Sequence, residues 1–143
     1  MDPLCKELEN TWHQKIPLSE FMQLHIDAFD NNVLVTTAKF APNVNIHGTA
    51  FAGSLYSAQA LTAWGMIWLQ LKREGIDASI VLASGNVEYI KPLTDDLVTC
   101  CDFNDVLGSI VELKRNGKAR FQLHCTVNGQ EGIASQFVGD YAV

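Results

Sequence analysis

Charge is missing from the middle of this sequence: between Gly48 and Leu71 there is no Asp, Glu, Lys or Arg. A run of that length is enough to span a bilayer, for which about 20 apolar residues suffice. Yet Thr49, Ser54, Tyr56, Ser57, Gln59, Thr62 and Gln70 are scattered through it, and strand-like patterns flank both ends. The segment therefore reads as a helix surrounded by its own protein, and no membrane partner is expected. Basic residues are also few, 10 Lys and Arg against 16 Asp and Glu for a net charge of −6. Nucleic-acid binding is excluded on that count, because it rests on neutralising phosphates. The four cysteines, Cys5, Cys100, Cys101 and Cys125, lack the paired short spacing of a tetrahedral zinc site, and no metal is expected. The first ten residues lack the basic and apolar regions of a secretory leader, so a cytoplasmic location with reduced thiols is the expectation.

What is present is a well-mixed chain of 143 residues, 48% hydrophobic. That suits one domain over 1–143 with a real core, since a chain near this length buries roughly 70% of its unfolded surface. No repeat, linker or low-complexity tract interrupts it.

Leu4, Leu8 and Trp12 fall on one face of a short helix over 3–15, which Pro17 is expected to end, making 1–20 a helical extension. Met22, Leu24, Ile26 and Ala28 then alternate with polar residues as in a half-buried strand, and Asp30-Asn31-Asn32 turns it into a second strand over 33–40. After a Pro, Asn and Gly loop over 41–49, the uncharged helix runs over 50–74, with Lys72 and Arg73 in its last turn and Gly75 placed to stop it. Strands are predicted over 79–91, 97–103, 119–128 and the remainder to Val143, with a short helix from Asn104 or Asp105 to Arg115. One antiparallel sheet wrapped around one helix is the α+β arrangement that buries such a helix.

This order resembles the hotdog fold of acyl-thioester enzymes, a curved antiparallel sheet wrapped around one long central helix. The resemblance covers Phe21 to Val143. Its most specific part is the loop-to-helix junction from Asn45 to Leu55, similar to the Asn-x-x-Gly-x-x-His-Gly-Gly motif of hotdog thioesterases. Asn45, Gly48 and Gly53 match, whereas Phe51 and Ala52 depart. Asn86-Val-Glu-Tyr-Ile-Lys-Pro92 resembles the strand that follows the helix in that superfamily. Phe51 to Ser57 with Trp64-Gly65 is closest to the thioesterase-like domain found C-terminal to some bacterial GNAT-type acetyltransferases.

The resemblance implies a site at the start of the central helix. There the Gly53 N–H would hold the thioester oxygen, and Asn45 would position the reacting groups. Phe51, Ala52, Ser54, Tyr56 and Ser57 would line the substrate. The family's helix carboxylate, nine residues after the motif His, falls on Ala60, and the helix has no Asp or Glu before Glu74. Water activation then turns to His47 in the preceding loop or to Glu88, which shares a strand face with Ser84 and Asn86 and in a hotdog dimer can reach the partner's site. The basic cluster Lys114, Arg115, Lys118 and Arg120 either meets coenzyme A phosphates or is a solvated turn, the plainer reading.

The functional expectation is an acyl-CoA or acyl-carrier-protein thioesterase working as a homodimer or dimer of dimers. No cofactor is expected beyond the coenzyme A or phosphopantetheine carried by the substrate. The alternative is a catalytically silent acyl-thioester-binding hotdog module, favoured by Ala60 and Phe51. Hydration or dehydration of an acyl thioester ranks last, since it wants a His and carboxylate pair at the helix start and only the His is present.

Overall fold

The computed structural model describes residues 1–143. Helix α1 (Pro3–Lys15) opens with Asp2, whose carboxylate accepts the Leu4 N–H at 2.9 Å, and buries Cys5, Leu8 and Trp12 along one face. Pro17 does not simply stop it. The chain turns at Ile16 and Pro17 starts a second short helix, α2 (Pro17–Phe21), because proline lacks only an N–H that a first turn leaves unpaired anyway.

Strands β1 (Leu24–Asp30) and β2 (Val33–Ala38) form the expected hairpin, its corner made by Asn31 and Asn32 with φ of 49° and 62°. A 3-10 turn over Ala41–Asn43 leads toward the central helix α3 (Ala52–Arg73), two residues shorter at its start than the sequence suggests. Four more strands follow: β3 (Val81–Tyr89), β4 (Leu97–Asp102), β5 (Arg120–Gly129) and β6 (Gly132–Ala142). The small helix before β5, α4 (Ile110–Asn116), is capped by Ser109, whose hydroxyl accepts the Val111 and Glu112 amides. Asn104 and Asp105 instead sit in a separate 3-10 turn, Phe103–Asp105.

The six strands form one antiparallel sheet in the order β1-β2-β4-β5-β6-β3. Strand β3, first in the chain after α3, thus returns to the far edge beside β6. Inward positions of β4, β5 and β6, among them Cys101, Phe121, Leu123, Cys125, Phe137 and Tyr141, close over the buried Ala58, Ala63, Met66, Ile67 and Leu69 of α3. Each large apolar side chain hidden this way contributes about 1.5–3 kcal/mol. Several polar groups drawn into the core are paired: Thr62 donates to the Ala58 carbonyl and meets Thr36 at 2.8 Å, and Gln59 Nε2 donates to Leu55 O and Ser135 Oγ, whereas Gln59 Oε1, Thr99 Oγ1 and Trp12 Nε1 are buried without a partner.

Alpha-1 closes the open end of this wrap. Leu8 and Trp12 lie on α3 at Gly65, where a Cβ would collide with the Trp12 ring. No helix is long and apolar enough to cross a membrane. The sheet wrapped around one helix is the α+β hotdog architecture that the sequence pattern implied.

Candidate active site

Helix α3 begins without a side-chain cap. Phe51 occupies the N-cap position with φ −65° and ψ 133°, and its apolar ring has no acceptor to offer. The Ser54 and Leu55 amides both reach the Phe51 carbonyl at 3.0 Å, while those of Ala52 and Gly53 find no acceptor within the chain. Two free N–H groups at the positive end of a long helix form a receptor for a polarised carbonyl or an oxyanion. Beside them opens a cleft of about 300 Å³ between Asn45, Thr49, Ala52 and Leu55 on one side and Tyr89 to Leu93 on the other.

Gly53 is bare for a local reason as well. A Cβ there would stand 2.5 Å from Cε2 of Phe51, so the Phe51 ring folds back over the first turn. That ring is 53% exposed and is the group a ligand would displace to reach the Gly53 amide.

Asn45 holds the loop together. Its Oδ1 accepts the His47 and Thr49 amides at 2.9 and 3.1 Å, and its Nδ2 donates to Thr49 Oγ1 at 2.8 Å. These bonds wrap the turn in which Gly48 takes φ +75°. His47 is exposed beside this turn, tied to it by its backbone amide alone.

The other predicted residues fall into two further places. Tyr56 and Ser57 line a narrow apolar pocket of about 230 Å³ along α3, walled by Leu18, Ala60, Leu61, Trp64 and Leu82. The Tyr141 hydroxyl in its wall donates to the Ala60 carbonyl at 2.7 Å, and Trp64 Nε1 donates to Ile80 O at 2.9 Å. Burial beside Tyr141 pushes its phenol far above the usual range, so it stays a neutral donor. With these groups committed, the pocket presents mainly hydrocarbon.

Ser84, Asn86 and Glu88 do share one face of β3, as the alternation predicts, but it is the face turned away from α3. Their register partners on β6 are Asp140, Val138 and Gln136, and together with His124 and Thr126 of β5 they line a polar groove of about 730 Å³. Ser84 Oγ donates to Asp140 Oδ2 at 3.1 Å. Within one chain, then, Glu88 does not join Asn45 and Gly53. The basic cluster is also remote, because Lys114 pairs with Glu74 at 2.5 Å, at the opposite end of a helix about 33 Å long.

Tyr89 is the residue that reading the sequence missed. Its hydroxyl donates to the Ala52 carbonyl at 2.9 Å and closes the cleft from the β3 side, and its phenol is raised by burial, with Tyr56 adding to the effect. The signal was there: Tyr89 is two and four residues beyond Val87 and Gly85, the inward positions of the strand whose outward positions are Ser84, Asn86 and Glu88.

Residues 5–143 match the protein family described as "Putative thioesterase (yiiD_Cterm)". Among solved structures, a protein from Shewanella oneidensis described as a putative thioesterase is 38% identical, with 99% of this chain and 98% of that one covered and a TM-score of 0.92. A protein of unknown function from Chlorobaculum tepidum is 30% identical over 99% and 94% of the two chains, with a TM-score of 0.89. The PaaI protein of the E. coli phenylacetic acid degradation operon shares the fold, with a TM-score of 0.68 over 96% and 91% of the chains at 13% identity. On the match along almost its whole length, the chain belongs to the yiiD_Cterm family of thioesterase-like hotdog proteins.

Proposed function

We propose that the protein hydrolyses acyl thioesters of coenzyme A or acyl carrier protein at the start of α3, acting as a homodimer. The observation that carries this reading is the pair of unengaged amides, Ala52 and Gly53, at the start of α3, where Ala52 lines a cleft. A thioester carbonyl resting there would develop its negative charge against fixed donors, which stabilises the tetrahedral intermediate without reorganisation. The apolar pocket from Tyr56 to Trp64 suits an acyl chain, being lined by hydrocarbon next to the turn where the carbonyl would sit.

Attack needs a base that α3 does not supply. Its only near carboxylate, Glu74, follows the last turn, and position 60 is Ala. Two groups remain: His47, exposed beside Asn45, and Glu88, brought from a partner's β3 edge in a dimer. Most of β3 is exposed although it is flanked by only one strand, which favours its being covered by a second copy.

The same missing carboxylate favours the second reading, a silent module that binds acyl thioesters without cleaving them. The test is loss of thioester absorbance for short, long and aromatic acyl-CoAs, followed with the wild type and with Asn45→Ala, His47→Gln and Glu88→Gln. Turnover that scales with protein and drops in Asn45→Ala and in one of the other two variants supports hydrolysis and identifies the base. Saturable binding of the same compounds with no turnover supports the silent module. A monomer by light scattering at micromolar concentration removes Glu88 as a base acting across subunits.

A further inference from the structure

Where α1 crosses the start of β1, three metal-ligating side chains converge well away from the cleft. Glu9 and His13 are four apart on α1 and so share a helix face, and His25 meets them from β1. One donor atom from each lies within 4.8 Å of the other two. Outer contacts already orient two of the three. Glu9 Oε2 accepts the Ile26 N–H at 2.9 Å, which turns Oε1 toward His25 Nδ1, also at 2.9 Å. His13 Nε2 lies 2.8 Å from the Leu24 carbonyl. A carbonyl can only accept, so His13 Nε2 donates there and Nδ1 is the ring nitrogen left to take an ion. Histidines that bind metals are held in the same way, with the far ring nitrogen donating to a carbonyl or carboxylate. The two imidazoles meet edge to face at 87°, their centroids 5.4 Å apart.

We propose that Glu9, His13 and His25 bind one divalent transition-metal ion of the zinc type. Two imidazole nitrogens and a carboxylate oxygen select zinc, nickel or cobalt over magnesium and calcium, which prefer oxygen throughout. Glu9 and His13 are half-buried and His25 is exposed, so the open side takes water as the fourth ligand. At metal–ligand bond lengths of about 2.0–2.2 Å, neighbouring tetrahedral donors stand about 3.4 Å apart, so the ion replaces the present Glu9–His25 hydrogen bond with a slight turn of the exposed ring. The result is a clasp between α1 and β1, fixing the helix whose Trp12 and Leu8 close over α3 at Gly65.

The test uses the full chain, free of any histidine tag and stripped with EDTA. Zn²⁺ is titrated calorimetrically, the bound ion is counted after dialysis, and Co²⁺ is followed by its visible absorption. His25→Ala and the milder His25→Gln remove an exposed ligand, with circular dichroism to verify folding. Cys100→Ser controls for the half-buried thiol, a further group able to take up zinc from solvent. The expected result is one ion per chain, a Tm that rises with Zn²⁺, binding at least about tenfold weaker in both His25 variants, and no change in Cys100→Ser. Absence of binding in the wild type, equal binding in the His25 variants, or loss of binding in Cys100→Ser would each overturn the proposal and leave Glu9 and His25 as a hydrogen-bonded pair. None of these readouts depends on thioester turnover.

Discussion

The Tyr56 hydroxyl lies over Gly85 in the place a Cβ at that position would occupy, and the Phe137 ring would stand 3.1 Å from such a Cβ. One residue of α3 and one of the edge strand β3 are thus fitted to each other across the wall of the apolar pocket. Tyr56 and Phe137 meet edge to face with centroids 5.3 Å apart, which fixes the phenol's direction. In Gly85→Ala the added methyl must displace either Tyr56 or the strand. Overpacking of this kind costs about 1–3 kcal/mol. A lowered urea midpoint is expected, together with a raised KM for acyl-CoA if Tyr56 borders the substrate. A variant as stable as the wild type would mean that the Tyr56 ring is free to swing aside.

Gly65→Ala probes the attachment of α1 in the same way. Here the neighbours are the Trp12 ring and Leu8 Cδ2, both belonging to fully buried side chains with no solvent to move into. A methyl at Gly65 would ordinarily favour a helix by nearly 1 kcal/mol. Against Trp12 the sign reverses, and a net loss of about 1–3 kcal/mol is expected by chemical denaturation. Fluorescence in a Trp64→Phe, Trp68→Phe background, where Trp12 is the sole indole, reports whether α1 lifts off before the rest of the core opens.

The order of elements, the hairpin at Asn31-Asn32 and the burial of α3 were legible because each rests on local chemistry: alternation, turn residues and an uncharged helix. Less legible was anything decided by how distant segments meet. Asn45 and Gly53 could be located by spacing, yet that Phe51 covers Gly53 depends on one rotamer. Ser84, Asn86 and Glu88 could be placed on a common face, but which face depends on the return of β3 to the sheet edge beside β6. Pro17 read as a stop, though a proline ends one helix and begins another equally well. Glu9 and His13 share a helix face by their spacing, but nothing in the spacing joins His25 to them. Only the crossing of α1 over β1 brings them together.

Asp96 offers a test of electrostatics away from the site. Its carboxylate accepts the Phe40 N–H at 2.8 Å and faces the Lys39 ammonium at 3.4 Å. The Phe40 bond chiefly, aided by Lys39 and opposed by slight desolvation, holds the Asp96 carboxyl below its ordinary value, near 3.9 in an unfolded chain. A folded-state value below the unfolded one means stability gained above the unfolded pKa and lost as pH falls through the folded one. Asp96→Asn should therefore be less stable than the wild type at pH 7, by under about 1 kcal/mol because solvent screens the pair. The gap should close at pH values below the carboxylate range. Urea midpoints at pH 7 and near pH 2 decide it, and a gap that persists at the lower pH would assign the loss to packing.

Ala60 tests the assignment of the apolar pocket to the acyl chain. It lines that pocket with its side chain while its carbonyl accepts the Tyr141 hydroxyl, a bond that substitution leaves in place. Ala60→Leu puts three more carbons into about 230 Å³, so it removes room without adding charge or a polar group. If the pocket holds the acyl tail, thioesters long enough to reach position 60 lose binding while acetyl-CoA does not. The size of the effect follows from the worth of a methylene in a hydrophobic pocket, about tenfold or more in kcat/KM for each one displaced. The measurement is kcat/KM across a series of straight-chain acyl-CoAs for both proteins. A ratio of variant to wild type that falls at a definite chain length marks the depth at which the tail meets residue 60. A ratio independent of chain length would take the acyl group out of this pocket and send it along the cleft between Asn45 and Tyr89 instead.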